Sequence, residues 1–399
     1  MLMKTKAGVR NAVMIGSLCS LSYLAVYLAR NVLGTVSPQM IENGVFSTAN
    51  IGSLSSLYFI TYAAGQLING VVGDKIRAKY MISFGLVLSG VCSIVFTMCA
   101  ATFWTAFAAY GLTGFFLSMI YGPMTKVVAE NVEPMYTARC SLGYTLASFL
   151  GSPLAGVFAM VLAWQGVFYT SSAVLLGMGA ICFLLFTVFE KKGVVRYGQY
   201  RREKQQGAGF KILLRHHIIR FTLISMVTGV VRTTVVFWLP TYLSQHLGFS
   251  AERAALIFTV STFVISASAF VAVFVYERLG HNMNRTLLLF FICSTVGFAL
   301  TFLIRQPVGN IIFLIAAIIA AASAAAMIWT RYCPGLRDTG LVSSVTGFLD
   351  FISYMSASVS SALFANAVSV IGWGGLILVW TALMAVGIVL CLPFGNQKL

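Results

Sequence analysis

Two arginines, Arg30 and Arg232, lie inside long apolar runs 202 positions apart. An arginine near the middle of a bilayer costs about 2.5–3.5 kcal/mol on insertion scales, so such residues default to functional sites facing a cavity or a partner. Arg30 closes the run Ser22-Tyr23-Leu24-Ala25-Val26-Tyr27-Leu28-Ala29. Arg232 follows Val227-Thr228-Gly229-Val230-Val231 and precedes Phe237-Trp238-Leu239-Pro240-Thr241-Tyr242-Leu243. A guanidinium is permanently charged, and its fork of donors matches a carboxylate or phosphate. The pair therefore reads as two positive posts for a small anion. On a helix, Tyr23, Tyr27 and Arg30 fall at i, i+4 and i+7 and share one face. Their hydroxyls can add neutral donors there, or their rings can pack.

Asp350, in Val345-Thr346-Gly347-Phe348-Leu349-Asp350-Phe351, is the one acidic residue expected to be buried within a span. It can pair with an arginine that substrate must then take over. It can instead serve as a protonation site, because desolvation raises a carboxylate's pKa unless a cation opposes the shift, or it can be a structural partner. His216, His217, His246 and His281 lie near loops, so no histidine relay is expected within the membrane. The eight cysteines show no CxxC or metal-ligand spacing and read as packing residues, so no metal is expected. With no GxxxxGK[ST] loop and no Ser/His/Asp or paired-carboxylate set, neither ATP-driven transport nor an enzyme is expected, and no cofactor is implied.

The elements that must position these residues are spans. Of 399 residues, 59% are hydrophobic and 9% charged, against about a quarter charged in soluble domains. Apolar stretches predict twelve helices, at 11–38, 49–73, 80–99, 102–129, 138–162, 166–189, 217–246, 251–276, 286–304, 308–330, 341–369 and 373–393, in an all-α polytopic membrane protein. An even number puts both termini on one side. With that side cytoplasmic, 22 of the 26 basic residues fall in cytoplasmic segments, leaving Arg253 and Arg305 outside and Arg30 and Arg232 within the spans. This is the positive-inside bias of a multi-pass protein of the inner cell membrane. The net charge of +16 follows that topology and does not imply nucleic acid. The polar stretch 191–216 separates two expected six-helix bundles, 1–190 and 217–399.

The halves look like repeats. Gly70-Val71-Val72-Gly73-Asp74-Lys75-Ile76-Arg77-Ala78-Lys79 follows the second span, and Tyr276-Glu277-Arg278-Leu279-Gly280-His281 follows the eighth at an offset of 203, close to the arginine offset. The first of these loops resembles the cytoplasmic signature of the major facilitator superfamily, whose two parallel six-helix repeats bracket a central cavity. That build implies two pseudo-symmetric bundles, with Arg30 and Arg232 facing one another near the midplane. Gly73, Asp74, Lys75 and Arg77 are expected to act as a gating latch, Asp74 favouring the start of helix three. Arg77 departs from the pattern, standing where a second glycine is common.

Tyr27-Leu28-Ala29-Arg30, Asn69 through Asp74, Arg232 with Trp238 through Leu243, Thr346-Gly347-Phe348 and Gly372-Trp373 resemble the organophosphate:phosphate antiporter family almost end to end. The resemblance implies exchange of a phosphorylated metabolite, such as glycerol-3-phosphate or a sugar phosphate, for inorganic phosphate by alternating access. It implies a monomer in the lipid bilayer, with Arg30 and Arg232 binding substrate. Tyr23, Tyr27 and Tyr62 match the family's tyrosines of helices one and two. A family lysine falls at Gln66, a basic residue becomes Asn31 and a histidine falls near Ser148. The site is thus less positive, and a monoanionic phosphate, a phosphonate or a sugar acid fits the charge nearly as well. Two alternatives stand beside exchange: a proton-coupled symporter for a hexuronate-type carboxylate with Asp350 as the coupling group, and a transporter-shaped sugar-phosphate sensor.

Overall fold

The computed structural model describes residues 2–72, 76–197, 214, 216–336 and 342–392, and the long elements among them are all helices. Within a bilayer, backbone groups must satisfy one another inside the segment, which leaves the helix as the solution for a single apolar span. In chain order these are α1 (Leu2–Glu42), α2 (Thr48–Val72), α3 (Ala78–Met98), α4 (Phe103–Leu117), α5 (Tyr121–Asn131), α6 (Pro134–Val161) and α7 (Trp164–Lys191). There follow α8 (Ile218–Gly229), a π-helical stretch (Val230–Val235), α9 (Val236–Gln245), α10 (Ala251–Ile265), α11 (Ser268–Arg278) and α12 (Met283–Leu303). Then come α13 (Pro307–Met327), a second π-helical stretch (Ile328–Tyr332) and α14 (Val342–Cys391).

Among the described residues, nine helical runs are long and apolar enough to cross a membrane. Helices α2 and α6 occupy two further expected spans. The last of the nine runs covers two expected spans, divided at Gly372, where φ is 66° and ψ is 177°. The expected helix 102–129 is broken at residues 118–120. Pro123 lacks an N–H and its ring would clash with the carbonyl four residues back, at Met119. The expected helix 251–276 breaks at 266–267, where Ser266 Oγ donates to Thr262 O at 2.7 Å and competes with the backbone ladder.

The chain packs as two compact units. One comprises Met1–Val45, Leu57–Lys204 and Ala251–Thr259; the other comprises Phe46–Ser56, Gln205–Ser250 and Val260–Leu399. In the first unit α1 and α6 rise together. Cys140 Sγ reaches Ala12 O at 3.5 Å, and further along the Tyr23 and Tyr144 rings meet at 6.2 Å. In the second unit α8 and its π-helical continuation run beside α14. Ser225 Oγ donates to Leu349 O at 2.9 Å and Thr234 Oγ1 to Ala357 O at 3.1 Å. Tyr242 donates to Asn310 Oδ1 at 2.6 Å, and Asn310 Nδ2 closes the turn before α13 on the carbonyls of Thr301 and Ile304. Small hydroxyls donating to a neighbouring helix's carbonyls let these backbones approach, the usual means of association where lipid removes the hydrophobic drive between helices.

Gly372 occupies a backbone region open essentially to glycine alone, and nothing lies within 4 Å of a Cβ built there. Gly372→Ala should therefore cost about 1–3 kcal/mol through backbone strain alone. A thermal melt of the detergent-solubilised protein checks this: the midpoint should fall by several degrees, and an unchanged midpoint would mean the break is not fixed by Gly372.

Candidate functional site

Arg30 emerges half-buried from the middle of α1. Its guanidinium carbon lies 5.2 Å from the ring centre of Tyr27, 5.4 Å from that of Tyr62 and 6.0 Å from that of Phe59. The negative faces of aromatic rings attract a cation within about 6 Å, so three rings share the charge. The structure thus brings Arg30, Tyr27 and Tyr62 together. Gln66 follows Tyr62 by one turn of α2 and is half-buried. Asn31 is engaged locally, donating from Nδ2 to Tyr27 O at 2.6 Å.

Tyr23 belongs to a different grouping. Its ring centre is 4.9 Å from that of Tyr27, 5.4 Å from Tyr121 and 6.2 Å from Tyr144, so four tyrosines from α1, α5 and α6 stand in one cluster. Tyr27 bridges this cluster to Arg30. Its position depends on Gly151: a Cβ built there would stand 2.4 Å from Tyr27 Cβ and 2.8 Å from the Leu28 nitrogen.

In the second unit, Arg232 sits in the π-helical stretch Val230–Val235. Single π turns inside α-helices recur at functional sites because the wider turn re-aims side chains. The Arg232 guanidinium lies 5.8 Å from the Trp329 ring and 6.0 Å from the Tyr354 ring. Its Nη2 is 3.9 Å from Asp350 Oδ1, close enough to offset charge and too far for a hydrogen bond. That nitrogen is shielded from solvent and donates no hydrogen bond among the described residues. Trp329 also lies in a π-helical stretch, and its Nε1 is likewise shielded without an acceptor among the described residues.

Sequence reasoning missed Phe59, Trp329, Tyr354, Tyr121 and Tyr144. Tyr354 carried a usable signal, since it follows Asp350 at i+4. The others are aromatics in apolar runs, where ring packing and site walls look alike.

Of the expected latch, Gly73, Asp74 and Lys75 lie outside the described residues. Arg77 precedes the first turn of α3, exposed and with extended backbone. Two residues on, Lys79 Nζ pairs with Glu190 Oε2 at 2.5 Å, joining the ends of α3 and α7. Arg196 N donates to Asn131 Oδ1 at 2.6 Å, tying the chain after α7 to the end of α5. Burial, with the Glu190 charge second, pushes the Tyr197 phenol well above its ordinary value.

The comparison with known proteins bears on this arrangement as a whole. The model of the Major Facilitator Superfamily matches residues 19–361. The chain belongs to this superfamily. It is therefore of a transporter family, a multi-pass membrane protein and not an enzyme. Among its relatives is the membrane sensor protein UhpC of Salmonella typhimurium, 22% identical, with 95% of this chain and 90% of the relative covered. The phosphoglycerate transporter protein of the same organism is 25% identical, covering 94% and 86%. In fold, the chain matches the crystal structure of a D-xylose–proton symporter with a TM-score of 0.73 at 11% identity, covering 96% of this chain and 98% of that one.

Gly151→Ala should force Tyr27 and the α1 backbone away from α6, at a cost of about 1–3 kcal/mol for overpacking. Gly177→Ala, where a Cβ meets open space, should be neutral or slightly stabilising, by up to about 1 kcal/mol. Parallel thermal melts of the two variants check the pair; equal midpoints would show that α6 does not set the position of Tyr27.

Proposed function

We propose that this chain carries a small phosphorylated anion across the membrane in exchange for inorganic phosphate, with Arg30 and Arg232 as its anion-binding groups. The observation that supports this most is the shielded Nη2 of Arg232, which has no hydrogen-bond acceptor among the described residues. A buried donor without a partner costs about 1–3 kcal/mol, and a phosphoryl oxygen arriving there would remove that cost with a charge-assisted bond. Asp350 at 3.9 Å offsets the guanidinium while the site is empty and is displaced in function, not replaced in position. Tyr27 and Tyr62 hold Arg30 by their faces, Tyr23 stands in the approach, and Gln66 adds a neutral amide where more charge would over-bind a dianion. Glycerol-3-phosphate and sugar phosphates are the substrates this reading favours, in keeping with a relative named as a phosphoglycerate transporter.

The same reading takes the protein as a monomer of the inner cell membrane with both termini cytoplasmic. It divides the protein into bundles 1–190 and 217–399, with Gly73, Asp74, Lys75 and Arg77 as a latch that holds one conformation. In liposomes preloaded with labelled phosphate, efflux should require an external phosphorylated compound. Arg30→Lys and Arg232→Lys should each lower exchange by about 100-fold or more, because lysine keeps the charge and loses the fork. Wild-type exchange in both variants would end this reading.

Asp350→Asn separates exchange from proton symport. As an antiporter the variant should still exchange and should bind phosphate several-fold more tightly, since Arg232 loses a competing anion. As a hexuronate-type symporter it should lose proton-coupled uptake. A second reading, a sugar-phosphate sensor, is favoured by similarity to UhpC over 95% of this chain. Robust flux through the purified protein would count against a role in sensing alone.

A further inference from the structure

We propose that the first unit holds a second anion station, at Arg139, where a phosphate-bearing substrate docks before reaching Arg30. The proposal rests on the organophosphate reading above. A groove of about 490 Å³ runs between α1 and α6, walled by Val13, Ser17, Ser20, Tyr136 and Arg139 among others. That volume lies within the range of small-molecule pockets, roughly 300–1,000 Å³. Arg139 is exposed, and its guanidinium lies 5.7 Å from the ring centre of the buried Tyr136. Among the described residues no carboxylate pairs with it. A ring beneath the plane fixes the guanidinium and leaves its in-plane donors available for an anion. The Ser17 and Ser20 hydroxyls supply further donors on the facing helix.

The groove ends at Leu21, on the face of α1 that leads toward Arg30. Along α1, Arg10, Val13, Ser17 and Leu21 are exposed, and the same stripe goes on half-buried through Leu24, Tyr27 and Arg30. Between those positions the helix is otherwise largely buried. Cys140 contacts Ala12, so Arg139 stands near the level of Ala12 and Gly16, about 21–27 Å along α1 from Arg30 at 1.5 Å per residue. The tyrosine cluster of Tyr23, Tyr121 and Tyr144 lies between the two levels. An anion leaving Arg139 thus meets neutral phenols before the second guanidinium, and two weaker steps replace one long crossing of an apolar wall.

The test uses the full-length protein in neutral detergent and follows the ³¹P linewidth of inorganic phosphate. Arg30→Gln combined with Arg232→Gln should weaken binding about ten-fold or more and leave a residual broadening that adding Arg139→Gln abolishes. In phosphatidylcholine liposomes, Arg139→Gln should raise the KM for exchange about five-fold and flatten its salt dependence. Arg139→Lys should recover part of both effects, and Tyr136→Leu should raise KM about two- to three-fold. Wild-type KM and salt dependence in Arg139→Gln, with Arg30-dependent exchange intact, would overturn the second station alone. A wild-type protein that neither broadens phosphate nor exchanges it would overturn both readings. Residual Arg139-dependent binding that appears only with phosphatidylglycerol would assign the groove to a lipid headgroup and overturn its role for cargo.

Discussion

A guanidinium placed in an apolar helix has to have its charge answered locally, and the two units answer it by different means. Around Arg30 the compensation is diffuse, spread over the faces of Tyr27, Phe59 and Tyr62. Around Arg232 it is concentrated in Asp350, with Trp329 and Tyr354 alongside. At Arg232 the contact with Asp350 does not use up the in-plane donors as a bidentate salt bridge would. There the electrostatic cost is lowered while hydrogen-bonding capacity is kept.

Holding a cation among rings requires that the rings not drift, and helix packing supplies this. Tyr27 is set by the bare backbone of Gly151, and Tyr62 lies deep in its unit at 2% exposure. In the other unit, Ser225 and Thr234 bracket Arg232 and bond to the carbonyls of Leu349 and Ala357 on either side of Asp350 and Tyr354. The ion pair and the ring contact therefore depend on the register between α8 with its π-helical continuation and α14. These are short polar bonds between backbones in close approach, which is where helices in lipid gain their specificity.

The apolar runs made the helices legible: among the described residues each expected stretch is largely helical, because length and composition suffice for a span. The breaks were less visible. Pro123 ends a turn by a local clash that a hydropathy window averages away, and Gly372 reads as one glycine among 36 until its φ is known. Arg30 with Tyr27 was readable from helical spacing, but the contribution of Phe59 was not, since a ring over a cation and a ring in a core have the same sequence signature. Arg232 was legible as a charge out of place, whereas the π-helical stretch that carries it was invisible to any pattern of fixed period. An inserted residue shifts the phase of everything beyond it, so Trp238 and Tyr242 cannot be assigned to the face of Phe221 by counting in steps of 3.6. Trp329 was hidden twice, by an apolar run and by its own π turn.

The rings that flank Arg30, those of Tyr27, Phe59 and Tyr62, bring no carboxylate or imidazole to the guanidinium. Arginine and tyrosine ordinarily titrate far above neutrality, and Phe59 does not titrate. A phosphate monoester, by contrast, loses its second proton near pH 6. For an anion held by such walls, the titrating partner is the cargo, and acidity then acts as a selector of which ionic form is carried. A cell acidifying its surroundings would alter the ligand itself.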